Sequence, residues 1–247
     1  MAFTRKLAVI VFLLLPLQLA AESVRIAVAS NFTHAMQEIK KQFEQQTEHK
    51  VELIFGSTGK IYAQIINGAP FDAFFAADAI RPERLEQEGR IQPGSRFSYA
   101  FGRIVLWSPD SNLSLAKGKV LDNGQFRHLA IANPRLAPYG TAAKQVLQAK
   151  GVWQKLQSRI VRGENIGQTF QFVISGNAEL GFIALSQLES QLNPNQGSHW
   201  LVPTDLYQPI EQQAVQLTDK AAVSAFMQFV KTEAAKQIIH GYGYSTS

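Results

Sequence analysis

Val24-Arg25-Ile26-Ala27-Val28-Ala29 runs into Ser30-Asn31, and Phe32, Ala35, Met36, Ile39 and Phe43 follow at i, i+3, i+4, i+7 and i+11. The first run is β-branched and apolar, the composition of a strand buried on both faces. The second is the apolar stripe of a helix packed on a sheet, with Gln37, Glu38, Lys40 and Lys41 left for the solvent side. The same unit recurs at once. Val51-Glu52-Leu53-Ile54-Phe55 leads into Gly56-Ser57-Thr58-Gly59, then into Ile61, Ile65 and Ile66 of a short helix closed by Asn67-Gly68-Ala69-Pro70. Each strand-to-helix turn carries a hydroxyl beside the first-turn amides that a helix cannot pair internally, an arrangement that holds an anion without a charged side chain.

Working outward, strand-like and helical patterns continue to alternate. Phe71 to Ala77 reads as a third strand, and Arg81-Pro82 opens a helix through Gln87. A long strand over Tyr99 to Trp107 ends at Ser108-Pro109-Asp110, and a stretch without clear periodicity up to Gln125 reads as the passage into a second lobe. There the pattern repeats: strand His128 to Ala132, turn Pro138-Tyr139-Gly140-Thr141, helix Ala142 to Lys150, strand Arg159 to Val161, turn Asn165-Ile166-Gly167, helix Gln168 to Ser175, strand Leu180 to Ala184. After an extended segment over Pro203 to Gln216, a last helix from Lys220 to Ile239 carries Val223, Phe226, Met227, Val230, Ala234 and Ile238 on one face and returns to the first lobe. Such alternation predicts an α/β protein with mostly parallel sheets and helices on both faces. Two Rossmann-like lobes are expected, joined by two crossover strands around a cleft: residues 22–102 with 206–247, and residues 103–205. Ligands of open α/β sheets sit beyond the carboxyl ends of the strands, where all four helix-opening turns would face the cleft.

Residues 1–21 read as a cleaved secretory signal, with Arg5 and Lys6 before the apolar run Leu7 to Leu15 and small Ala20 and Ala21 before Glu22. That run is too short for a permanent span, and no later stretch approaches the ~20 apolar residues a span needs. An exported, periplasmic protein is expected. Without the leader the chain keeps 22 basic and 19 acidic residues, a net +3. The basic residues are scattered, which argues against nucleic acid as a partner. There is no cysteine, so disulfides, thiolate metal sites and a cysteine nucleophile are excluded.

Taken singly, the turn residues have two readings each. Ser30 and Asn31 are either an ordinary helix cap or ligands. Ser57, between glycines that let the backbone approach a ligand closely, is not part of a P-loop, because two residues separate Gly56 from Gly59 and Ile61 follows Lys60. Tyr139 is either an aromatic wedge or a phenol offered to a ligand, and Ile166 either starts a helix or aims its N–H into the cleft. Lys60 is expected to point to solvent, and Asp72 and Asp78 to be structural. A secreted hydrolase using Ser57 lacks a Gly-x-Ser-x-Gly elbow, and none of the five histidines shows zinc-site spacing. A ligand-sensing transcription regulator conflicts with the export signal. No enzyme activity is expected.

Ala29-Ser30-Asn31-Phe32 with Ala35-Met36, Gly56-Ser57-Thr58-Gly59, Gly68-Ala69-Pro70-Phe71-Asp72, Phe75-Ala76-Ala77-Asp78, Gly181-Phe182-Ile183-Ala184 and the closing Gly241-Tyr242-Gly243-Tyr244 together resemble the periplasmic molybdate-binding proteins (ModA) of ABC importers. The resemblance spans nearly all of the mature chain. It implies a type II periplasmic binding protein fold that closes on one tetrahedral oxyanion held by uncharged donors. Ser30 with Asn31, Ser57, Tyr139 and the backbone N–H of Ile166 are the ligand-binding residues it implies. Many members carry a tyrosine where this chain has Ala184, and a subgroup supplies the phenol from the turn that here holds Tyr139. The implied cargo is molybdate and tungstate, with sulfate or thiosulfate as the alternative, and the implied partner is an inner-membrane ABC permease. A monomer without a cofactor is expected, with no metal ion on side chains because molybdenum arrives inside its oxide shell. Deprotonated molybdate offers acceptors only, and neither serine turn contains a carboxylate.

Overall fold

The computed structural model describes residues 21–191 and 197–246; the leader expected over residues 1–21 lies, except for Ala21, outside them. β1 (Ser23–Ala29), α1 (Thr33–Gln46), β2 (Lys50–Gly56), α2 (Thr58–Ile66), β3 (Ala73–Phe75), α3 (Ile80–Gln87) and β4 (Phe97–Gly102) build the first lobe. β5 (Ile104–Ser108), α4 (Val120–Asn123), β6 (Leu129–Ala132), α5 (Pro138–Ala149), α6 (Trp153–Leu156), β7 (Ile160–Gly163), α7 (Ile166–Ile174), β8 (Leu180–Ala184), α8 (Leu185–Gln191) and β9 (Ser198–Leu201) build the second. β10 (Ile210–Gln216), α9 (Ala221–Val230) and α10 (Glu233–Gly241) return to the first. Each lobe centres on a five-stranded sheet, ordered β2-β1-β3-β10-β4 and β7-β6-β8-β5-β9.

β1 is buried on both faces because it lies between β2 and β3, parallel to both. Val24, Ile26 and Val28 pack beneath α1, α9 and α10, while Ala27 meets Ile61, Ile65 and Phe74 on the opposite side. The α1 stripe of Ala35, Met36, Ile39 and Phe43 is buried as its spacing requires. Phe32 wedges edge-on between Tyr99 and Tyr244, with ring centroids 4.8 and 5.1 Å away.

Four details depart from the sequence-based expectation. The sheets are mixed, because the crossing strands β10 and β5 insert antiparallel to their neighbours. The long strand over 99–107 is two strands broken at Arg103, where the chain leaves one sheet for the other; residues 110–125 therefore belong to the second lobe, and Leu115, Val120 and Leu121 fill its core. The last helix is two helices, since Thr232 caps a new one by accepting from Ala235 N, and Ala235 rather than Ala234 becomes buried. Ile66 is 37% exposed, one position past the buried side of α2.

Asp72 ties the first lobe together. Its carboxylate accepts from Arg25 N at 2.8 Å and Thr218 Oγ1 at 3.0 Å and pairs with Lys220 Nζ at 2.9 Å. Asp78 pairs with Arg81 at the start of α3. Both carboxylates are structural.

Candidate functional site

The four turns singled out in the sequence occupy helix starts after β1, β2, β6 and β7. Ser30 opens a short 3-10 turn, Ser30–Phe32, that continues into α1. Neither it nor Asn31 caps a helix with its side chain. Ser57 holds the N-cap position of α2 with extended backbone, φ −75° and ψ 141°, yet its hydroxyl makes no capping bond. A capping serine would spend its oxygen on the N2 or N3 amide. Ser57 is 2% exposed, and its Oγ has no hydrogen-bond partner.

From the second lobe, Pro138 sets the first turn of α5 and places Tyr139 inward, 1% exposed. The Tyr139 hydroxyl is likewise buried without a partner. Burial, helped by the neighbouring phenols of Tyr244, Tyr99 and Tyr207, holds its pKa well above the ordinary 10. It therefore remains a protonated donor under any physiological condition. Ile166 begins α7 behind the cap Asn165, whose Oδ1 accepts from Gln168 N at 2.9 Å.

The lobes meet around these turns. Gly167 N donates to Ser30 Oγ at 3.4 Å, which brings the start of α7 onto the turn after β1. Gly59 N donates to Leu136 O at 2.8 Å. Gly59 eases that approach, because a Cβ there would sit 3.0 Å from the Leu136 backbone and push it back by a few tenths of an ångström. Ala29 and Ala77 of the first lobe share one apolar cluster with Tyr139 and Ile166 of the second. Lys60 Nζ reaches both Glu164 oxygens at 3.1 Å, so it spans the lobes rather than pointing freely to solvent. The pair is about half exposed, with side chains at 50% and 41%. Screening limits such a pair to ~1 kcal/mol or less, so Lys60→Ala should weaken ligand retention no more than about fivefold, and less in high salt, as stopped-flow dissociation would register.

The side chain of Asn31 belongs to a buried hydrogen-bond network. Its side-chain amide donates to Gln212 Oε1 at 2.7 Å and Tyr244 Oη at 3.0 Å. Its carbonyl accepts from Tyr244 Oη at 2.8 Å and Ser186 Oγ at 2.9 Å. Tyr99 Oη completes this buried network through Ala76 O at 3.1 Å and Gln212 Oε1 at 3.2 Å. The side chain of Asn31 is thus a strut between the first helix start and the crossover strand β10. Gln212, Tyr99 and Ser186 carry no motif in the sequence, Tyr244 closes the Gly241-Tyr242-Gly243-Tyr244 stretch, and only the meeting of distant segments brings the four together.

Tyr139 Oη faces Gly102, the last residue before the crossing at Arg103. A Cβ on Gly102 would lie 2.1 Å from that hydroxyl and 3.0 Å from Gln212 Nε2. Among the described residues no three His, Cys, Asp or Glu side chains form a metal-binding group. No helix among them is long and apolar enough to cross a membrane. What the turns offer is neutral: hydroxyls, a phenol and helix-start amides, which are donors to an acceptor-only ligand.

The sequence profile of the bacterial extracellular solute-binding proteins matches residues 24–245. The chain belongs to this family. Solute-binding relatives include the molybdate-binding protein ModA of Azotobacter vinelandii, 50% identical over 227 residues covering 91% of this chain and 90% of that one. ModA of Rhodobacter capsulatus is 45% identical over 243 residues, 97% of this chain and 94% of the relative. The solved periplasmic molybdate-binding protein of Azotobacter vinelandii superposes with a TM-score of 0.86 at 42% identity, covering 91% of this chain and 99% of that structure. The fold is the two-lobed periplasmic binding protein fold, its lobes joined by two crossings.

Proposed function

We propose that this solute-binding protein captures molybdate, and tungstate of nearly the same shape and charge, between its lobes and delivers it to an inner-membrane ABC permease. The observation that carries this reading is the pair of buried, unpartnered donors, Ser57 Oγ and Tyr139 Oη, at helix starts of opposite lobes. A buried polar atom without a partner costs ~1–3 kcal/mol, and a proton-free tetrahedral dianion would repay it by accepting from both. Ser30, the main-chain N–H groups at Asn31 and Ile166, and the first-turn dipoles of α2, α5 and α7 add to the same field. The ModA relatives supply the identity of the anion.

The lobes are taken as residues 22–102 with 206–247 and residues 103–205. The two crossings at Arg103 and between β9 and β10 then serve as the hinge for closure over the anion. The chain works as a monomer in the periplasm after removal of its leader, without nucleic acid and without a resident cofactor; molybdate is cargo.

The direct test is titration calorimetry of the leader-free protein with molybdate, tungstate and sulfate. Tight binding of the first two with sulfate far weaker is the expected result, and sulfate as the strongest ligand would reassign the cargo. In the same assay Ser57→Ala should lose on the order of 10- to 100-fold in affinity, the worth of one good hydrogen bond to a charged acceptor. Unchanged affinity would remove Ser57 from the site.

A further inference from the structure

Gln212 is fully buried, and its amide nitrogen has no hydrogen-bond partner. It lies on β10, the strand by which the chain returns to the first lobe, where the pairing with β4 shifts register between Gln212 and Gln213. The bulge lies on β4, where a bulged residue can be re-aimed, and it brings Tyr99, the residue left over, next to Gln212. The strand β10 itself, paired on both edges and covered on both faces, keeps Gln212 and Gln213 on opposite faces with both buried.

The orientation of the Gln212 amide follows from its neighbours. Asn31 Nδ2 at 2.7 Å and Tyr99 Oη at 3.2 Å both converge on Oε1, and both can donate to it. The oxygen is therefore the occupied end, and Nε2 must point the other way. That direction leads to the space over Gly102: the position of a Cβ there lies 3.0 Å from Nε2 and 2.1 Å from Tyr139 Oη. Two unspent N–H bonds thus flank the same point as the unspent phenol.

We propose that Gln212 is a further specificity-determining residue, an N–H donor that the hinge strand presents to the oxyanion beside Tyr139. This rests on the oxyanion reading of the site and goes beyond the helix-start residues. An amide nitrogen donates and cannot accept. It therefore favours an anion with no proton of its own, and it rejects hydrogen phosphate, whose proton would need an acceptor at that place. Because Nε2 belongs to the crossing strand rather than to either lobe's turns, it also links occupancy of the site to the hinge.

The test combines a variant with a measurement on the unaltered protein. Gln212→Glu keeps the oxygen that Asn31 and Tyr99 need and replaces the donor with an oxygen that can accept. The ratio of molybdate to phosphate affinity, measured by calorimetry, should fall by on the order of 100-fold or more. A purely structural glutamine would leave the ratio unchanged, and that outcome would overturn the proposal. In the wild-type protein, nitrogen-15 NMR should show the Gln212 side-chain amide shifting when molybdate is added; binding with that amide unmoved would overturn it as well, whether or not the variant folds. Absence of any molybdate binding by the wild type would instead defeat the oxyanion reading itself, which keeps the two failures apart.

Discussion

Gly102→Ala should cost on the order of 100-fold or more in molybdate affinity, with a smaller loss of stability from the crowding. The residue is buried at the end of β4 with ordinary backbone angles, so nothing in φ demands glycine there. What demands it is space. A methyl group would stand 2.1 Å from Tyr139 Oη, far inside van der Waals contact, and the hydroxyl would have to leave. Tyr139 is a rigid ring held in the second-lobe core, so its tip cannot move without tilting the start of α5. Loss of the phenol alone removes ~1.5–3 kcal/mol, and the same methyl crowds Gln212 Nε2. Two such donors correspond to ~3–6 kcal/mol, or roughly two to four powers of ten in Kd. Calorimetry paired with a thermal melt checks it: wild-type affinity in a folded variant would place the anion elsewhere.

Asp72→Ala is expected to be the most destabilising of these changes, by about 3 kcal/mol, because it breaks a buried ion pair. The carboxylate is 5% exposed and binds β1, through Arg25 N, to the end of β10 and the segment before α9, through Thr218 and Lys220. The figure sits at the lower end for a broken buried pair because Lys220 is 43% exposed and can turn to water. For a chain of this size it corresponds to a fall in Tm of roughly 6–12 °C.

The pH dependence of that effect has a definite sign. Burial by itself would raise the Asp72 pKa, but the Arg25 amide, Lys220 and Thr218 outweigh it and hold the carboxyl below its ordinary 3.8. A depressed carboxylate contributes its stability above the unfolded pKa and loses it as pH falls through the folded one. The stability gap between wild type and Asp72→Ala should therefore be constant from neutral pH down to about 4, then narrow on further acidification. Urea titrations at a series of pH values would register it. A gap that widens in acid would contradict the depressed pKa.

The readable part of the site was local. Ser30, Ser57, Tyr139 and Ile166 could be singled out because each stands where a continuous apolar run gives way to the 3.6-residue period of an amphipathic helix, a change that sequence records directly. The bland alternative for the serines, helix capping, was equally legible. It took three dimensions to see that Ser57 makes no capping bond. Asn31 illustrates the limit: adjacent to Ser30 in sequence, its amide serves Gln212 and Tyr244, partners 181 and 213 positions away.

Sequence alone determined the alternation of strand and helix, the α/β class, the absence of thiol chemistry and the neutral hydroxyls at the helix starts, since all of these follow from composition or from residues within a few turns of one another. Tertiary structure decided the antiparallel insertion of β5 and β10, the crossing at Arg103, the span of Lys60 to Glu164 and the orientation of Gln212 toward Tyr139. Those depend on which distant segments share a sheet or a buried volume. The free energy of such contacts comes from excluding water between partners, so no single segment encodes it.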